Sequence, residues 1–364
     1  MKFRCERDVL VEALATASRA VSGRGGALPV LSGLRCELKG DQLCVTGSDL
    51  DLTITVDLTV SGSGDGEIVI PSKLAVDIVK SLEPGAVSIE TEESEAKISC
   101  GRSQFSVHLI PAEEYPQIAM AESEPLTLVA SEFTDALRQV VPAASTDDSR
   151  PILTGVLLAA EGTGLRLVST DSYRLAVRDL PGTAVLADGQ NVLVPGRALN
   201  ELNRVISAAE TLTLILGERD ATFIVGSTRL TTRLIDGDFP NYRGLIPQNQ
   251  PNRLTIGRSQ LIEAVRRVKL MAREATPVRI TMREGGVDLV AITQDVGQAH
   301  EELDGSYQGE ELTVAFNPDY LLAGLEVTPG DEVSLETVDA LKPALLRSLD
   351  TVDFLYLLMP VRVS

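Results

Sequence analysis

VIPSKLAVDIVKSLEPGAVSIE, residues 69–90, has two counterparts in the same chain: LVPGRALNELNRVISAAETLTLIL at 193–216 and AFNPDYLLAGLEVTPGDEVSLE at 315–336. Each reads as a strand, a proline, a polar cap, an amphipathic helix of about ten residues and a second strand. Pro71, Pro195 and Pro318 lie 124 and 123 positions apart. A long segment recurring at a fixed interval marks a unit used more than once. The chain therefore reads as three copies of one unit.

Outward from these segments the period holds. CERDVLVEALATASRAVS (5–22), VASEFTDALRQVVPAAS (129–145) and IGRSQLIEAVRRVKLMA (256–272) place apolar residues at three- and four-residue spacing and predict helices. VTGSDLDLTITVDL (45–58), LVSTDSYRLAVRDL (167–180) and VAITQDVGQAHEEL (290–303) each predict a strand, a turn and a strand. Closing strands follow in SQFSVHLIPAEEYP (103–116), TRLTTRLIDGDFPNY (228–242) and VDFLYLLMPVRVS (352–364). Each copy also divides in two, with a β-α-β-β-β pattern from Met1 to about Ser61 and again from about Glu67 to Pro111. AMAESEPLT (119–127) and PQNQPNR (247–253) read as linkers, rich in proline and polar residues. The expected organisation is three α+β domains, 1–122, 123–250 and 251–364, each with two helices covering antiparallel sheets. The third closing strand differs from the others. No linker follows it, yet it stays apolar almost to its end.

At 364 residues the chain exceeds what one ordinary core supports. Its 44% hydrophobic and 23% charged residues fit a globular protein. MKFRCERDVLVEAL (1–14) is charged within its first eight residues, against a signal peptide, and no apolar run is long enough to span a membrane. Cys5, Cys36, Cys44 and Cys100 lack CxxC spacing and read as reduced structural thiols. The expected location is cytoplasmic.

A net charge of −19 ordinarily excludes nucleic acid as a partner, since affinity for phosphates comes from Lys and Arg. The charge is unevenly spread, however. The six predicted helices with their flanking turns hold 14 basic and 13 acidic residues, and the rest of the chain holds 19 and 39. The helical layer is near neutral and suits an anion; AVRRVKLMAR (264–273) is its most basic stretch, or simply a solvated helix face.

Enzymatic chemistry is hard to find. His108 and His300, the two histidines, lie in alternating strands where surface positions are expected. No Walker loop, HExxH or GxSxG motif occurs. SDLDL (48–52) offers two carboxylates that could hold Mg²⁺, but Asp49 recurs as Asp171, where Ser-Tyr-Arg follows, so a turn role is favoured. No catalytic residue, metal or cofactor is implied.

STDSYRLAV (169–177), FPNYRGLIP (239–247), FNPDYL (316–321) and YLLMPVRV (356–363), in this order and spacing, resemble the bacterial beta sliding clamps, the processivity subunits of DNA polymerase III. The resemblance covers the whole chain. It implies a head-to-tail homodimer, a ring of six domains lined by twelve helices, encircling double-stranded DNA without sequence preference and tethering the replicative polymerase. Topological retention needs only weak phosphate contacts. Carried over by position, these would come from Arg24, Lys73, Arg197, Arg204 and Arg266, while Asp147 and Asp148 stand in a loop that faces DNA in the family. Phe105 and Val107 would pack against Leu270 and Met271 of the other copy.

The family also binds short linear peptides of polymerases, the clamp loader and repair proteins. The corresponding wall here is Leu153, Thr170, Ser172, Tyr173, Arg174, Leu175, Pro240, Leu245, Asn317, Tyr320, Met359, Pro360, Val361 and Arg362. Its chemistry suits a Gln-plus-aliphatic/aromatic peptide. Leu153 and Leu175 can equally be read as core leucines. Ser172 and Tyr173 replace a frequent Gly and His, Gly244 replaces a frequent Arg, and Ser364 extends the end. The alternative function is a triplicated protein-binding scaffold that does not bind DNA.

Overall fold

A computed structural model of the chain describes residues 1–21, 28–116, 123–206, 209–273 and 276–362. Among these residues are six α-helices: α1 (Arg7–Ser18), α2 (Ser72–Ser81), α3 (Ala130–Val140), α4 (Gly196–Val205), α5 (Arg258–Lys269) and α6 (Pro318–Val327). The α+β expectation holds, and the β-α-β-β-β order recurs six times along the chain. No described helix is long and apolar enough to cross a membrane.

The chain forms two compact units, Met1–Ser131 with Ala198–Leu234, and Glu132–Arg197 with Ile235–Ser364. In the first, Ser61–Gly64, Lys2–Glu6, Ala86–Glu92, Glu95–Cys100 and Ser103–His108 make a five-stranded sheet in that order. Alternation drives it: Phe3 and Cys5 turn inward from Lys2–Glu6 while Lys2, Arg4 and Glu6 face solvent. Leu10, Ala13, Leu14 and Ala17 form the buried stripe of α1. The end of α1 approaches the sheet so closely that a side chain at Gly47 would collide with the Ala17 carbonyl.

The larger sheets cross the repeat boundaries, which the sequence reading did not foresee. In the first unit, Thr228–Arg233 of the second copy pairs antiparallel with Leu52–Thr59 of the first, within an eight-stranded sheet. In the second unit, Phe354–Leu358 of the third copy pairs with Arg174–Leu180 of the second, within a nine-stranded sheet. All five residues of Phe354–Leu358 are buried. Such a strand cannot end a sheet without leaving an apolar, unpaired edge, so it recruits a neighbour. A four-stranded sheet, in the order Gly297–Asp304, Gly286–Thr293, Val278–Arg283, Leu312–Phe316, completes this unit.

The proline alignment needs a correction. Pro71 is the N-cap of α2 and Pro195 ends the strand before α4, but in the third copy Asn317 is the N-cap and Pro318 is the first residue of α6. Proline fits both places because its fixed φ suits the entry and its missing N–H is not needed there. The Asn317 side chain accepts from the N–H groups of Asp319 and Tyr320, a true cap. The stretch from Ile246 to Pro251 has no helix or strand, and Asn252 begins the next strand. The other expected linker overlaps residues 117–122, outside the described residues.

Candidate functional site

The turn Thr170–Arg174 is held by its own side chains. Asp171 Oδ1 accepts from the N–H groups of Tyr173 and Arg174 at 2.9 and 3.0 Å, and Thr170 Oγ1 accepts from the Ser172 N–H at 3.1 Å. Ser172 lies at φ +81°. The first copy builds the same turn: Asp49 Oδ1 accepts from Asp51 and Leu52, Ser48 Oγ accepts from Leu50, and Leu50 also has φ +81°. The turn role expected for both aspartates is what the structure shows.

In the second copy this turn also carries a stack of aromatic and guanidinium side chains. Asp171 Oδ2 takes a 2.9 Å hydrogen bond from Arg174 Nε, and both side chains are largely buried. Arg174 is thereby set over the Tyr320 ring, 4.5 Å from its centroid, and Tyr173 stacks on the same ring at 6.2 Å. Tyr320 comes from the first turn of α6, and its carbonyl accepts from the Tyr356 hydroxyl at 3.0 Å. Burial pushes the Tyr356 phenol up to about 12, so it remains a donor throughout the neutral range.

The tail is pinned to the turn and to the strand Leu312–Phe316. The Met359 N–H donates to the Tyr173 carbonyl at 2.9 Å and the Val361 N–H donates to the Ala315 carbonyl at 2.8 Å. Met359 and Val361 remain exposed, as do Tyr173 and Leu245. Pro360 is partly exposed and Arg362 is exposed. Leu175 is 1% exposed and belongs to a core cluster with Leu157, Val177, Leu345, Leu355 and Leu357, so its core reading is the one the fold supports. Leu153 is likewise buried. Pro240 and Leu245 flank Tyr242, which packs into the same cluster. Ser172 Oγ accepts from Arg150, itself paired with Asp147 at 2.9 Å, tying the 147–150 loop to the turn.

Sequence reasoning missed Asp171 as the group that aims Arg174, although its recurrence with Asp49 was the available signal. It also missed a groove where Leu341 and Arg279 join Val361 and Arg362. The corresponding backbone in the first copy lacks this surface. There the Arg233 N–H donates to the Asp51 carbonyl, matching Met359 and Tyr173, but the side chains are charged.

The helical cations are mostly neutralised. Arg204 pairs with Glu201, Arg266 with Glu263 and Glu326, Arg267 with Glu301, and Lys269 with Asp319. Lys73 is exposed at the start of α2; Arg197 lies in the first turn of α4; Arg24 lies outside the described residues. At the expected contact between copies, Leu270 is 80% exposed and Phe105 is exposed on the edge strand Ser103–His108. Leu270 borders a cleft of about 480 Å³ between α5 and α6. Val107 differs from expectation: at 3% exposure it is the one buried residue of Ser103–His108 and lies opposite the buried Ala96, inside its own unit. His108 and His300 are exposed, and no described group of His, Cys, Asp or Glu could hold a metal ion.

Comparison with known proteins agrees along the whole chain. Family models for the N-terminal, central and C-terminal domains of the DNA polymerase III beta subunit match residues 1–119, 127–241 and 243–362. A beta sliding clamp of Streptomyces coelicolor is 36% identical over 376 aligned residues, covering 100% of both chains. The crystal structure of a DNA polymerase sliding clamp from Bacillus subtilis superposes with a TM-score of 0.93 at 29% identity, covering 100% of both chains. A Pseudomonas aeruginosa sliding clamp bound to griselimycin gives the same TM-score, identity and coverage.

Proposed function

The chain belongs to the DNA polymerase III beta subunit family, which makes it a non-catalytic DNA sliding clamp for polymerase processivity, and we propose that its recognition surface for partner peptides is the Tyr173–Arg174–Tyr320 stack with the Met359–Arg362 tail. The observation that carries this reading is the double anchoring of the tail, to Tyr173 and to Ala315, which holds Met359 and Val361 exposed beside the stack. Exposed apolar side chains fixed in place and rimmed by oriented polar groups suit a short peptide with apolar anchors. Polymerase, clamp loader and repair proteins are the partners in this reading, and the cytoplasm is its location.

Two copies close head to tail. Ser103–His108 ends one sheet and carries Phe105, and Gly297–Asp304 ends another, against which α5, the helix that leads to Leu270, packs. DNA contact is weak in this arrangement. Ion pairs as exposed as Arg266–Glu326 are screened by solvent and contribute little, so phosphates can replace the carboxylates at little cost. The pairing of these cations is also what favours a scaffold that does not bind DNA. The two readings separate in one experiment. A clamp loaded on nicked circular DNA stays bound and leaves after linearisation, whereas a scaffold is retained on neither form.

A further inference from the structure

A groove of about 570 Å³ continues from the tail on the outer edge of the four-stranded sheet. The tail residues Val361 and Arg362 form one side, Thr313 and Ala315 the strand beneath, and Ala340 and Leu341 a turn opposite; Arg279 completes it. Leu341 is 65% exposed, an apolar residue without cover in this chain. No carboxylate lines the groove.

The two arginines are unlike most others in the molecule. Arg174, Arg243, Arg266, Arg267 and Arg283 are each held by an aspartate or glutamate. Arg279 and Arg362 are exposed and have no ion pair or hydrogen bond among the described residues, in a chain with 52 acidic and 33 basic side chains. Asp339, just before Ala340, is engaged within its own turn, where its Oδ2 pairs with Lys342 Nζ at 3.8 Å. Its Oδ1 is occupied by the N–H groups of Leu341 and Lys342 at 2.8 and 2.9 Å.

We propose that this groove receives an acidic flank of the partner peptide whose apolar anchors sit at the Tyr173–Tyr320 stack, with carboxylates of the flank pairing to Arg279 and Arg362. The proposal rests on the peptide-binding reading above and adds a specificity determinant, Arg279, to it. The shared wall of Val361 and Arg362 makes the groove continuous with that surface. Charge supplies the occupant. A guanidinium pair without a carboxylate is a strong local site for carboxylates, since fork geometry and full charge favour bidentate bonds. Everywhere else the protein's net charge of −19 repels an acidic peptide. Non-specific electrostatics therefore predicts the opposite preference, which makes the inference sharp.

The test uses three fluorescent peptides sharing one Gln-plus-leucine/phenylalanine core: the core alone, the core with aspartates added at both ends, and the core with lysines added at both ends. Each is titrated into the full-length protein and into Arg279→Gln and Arg279→Glu variants at low and moderate salt. The aspartate peptide should bind about threefold to tenfold tighter than the core alone. Arg279→Gln should remove most of that gain and Arg279→Glu should reverse it, both leaving the affinity of the core peptide unchanged. A core peptide that binds while the aspartates add nothing, or while the lysines add more, overturns the acidic-flank proposal and leaves the peptide site standing. A core peptide that fails to bind the unmodified protein overturns both.

Discussion

Ser172 holds a left-handed conformation, φ +81°, in a turn whose other members are all fastened by side-chain hydrogen bonds. A residue with a Cβ is strained there by about 1–2 kcal/mol, and glycine would escape that strain while losing about 0.5–1 kcal/mol in backbone entropy. Ser172→Gly should therefore raise stability slightly, by about 0.5 kcal/mol. Ser172→Val, branched at Cβ, should lower it by about 1–2 kcal/mol. Urea unfolding of the three proteins measures the order; a valine variant as stable as the serine form would show that the turn is not strained. The sequence made the identities of Tyr173, Arg174, Tyr320 and Met359 legible through short motifs. It could not show that Asp171 aims Arg174, because a carboxylate in a turn looks the same whether or not a guanidinium folds back on it.

Helix α6 and the strand Phe354–Leu358 work as one element. The helix carries Gly324 against the buried Tyr356 ring, where an added Cβ would lie 2.5 Å from Tyr356 Cδ1. That ring is fixed by burial and by its hydrogen bond to the Tyr320 carbonyl, so it cannot give way cheaply. Gly324→Ala should cost about 1–3 kcal/mol by overpacking, read as a lowered denaturation midpoint. A midpoint at or above that of the unmodified protein would mean the helix moves aside freely. The helix was legible from its spacing, and so was the strand. Their partners were not, because periodicity tells which face is buried and not which chain segment lies beside it. For the same reason the sheets that join neighbouring repeats escaped the reading, and Val107, placed by family position, proved to be an inward residue of its strand.

The tail and the strand before it differ in how firmly they are held. Residues 354–358 are fully buried and complete the nine-stranded sheet, whereas Met359 and Val361 are exposed and held by one backbone hydrogen bond each. Deleting residues 359–364 should therefore spare the fold. It removes one wall of the proposed peptide surface, and since a few anchors carry most of a peptide's affinity, binding should fall about tenfold or more. Fluorescence titration with the core peptide reads the loss, and circular dichroism reads the fold. Equal affinity in the two proteins would show that the tail takes no part.

At the scale of the whole molecule, stability of the ring is a matter of symmetry. A head-to-tail contact between two copies is heterologous, and closure makes it occur twice, so any change at the contact counts twice. Leu270 is 80% exposed in the single chain and Met271 is partly exposed, which marks them as residues that gain by being covered. Covering a leucine is worth about 2 kcal/mol, or about 4 kcal/mol over the two contacts, close to a thousandfold in the dissociation constant. Replacing Leu270 and Met271 with aspartates removes that gain and adds the cost of burying charge. The variant should sediment at 38.9 kDa where the unmodified protein sediments at twice that mass. Leu270→Asp alone should weaken the dimer without loss of fold, since the residue touches little in its own chain, and so separates an assembly defect from a folding defect. Both variants should keep their affinity for the core peptide, whose surface lies in other segments, and should fail to remain on nicked circular DNA. A double variant that is still dimeric would place the contact elsewhere, and a monomer that is still retained on circles would remove topology as the reason for retention.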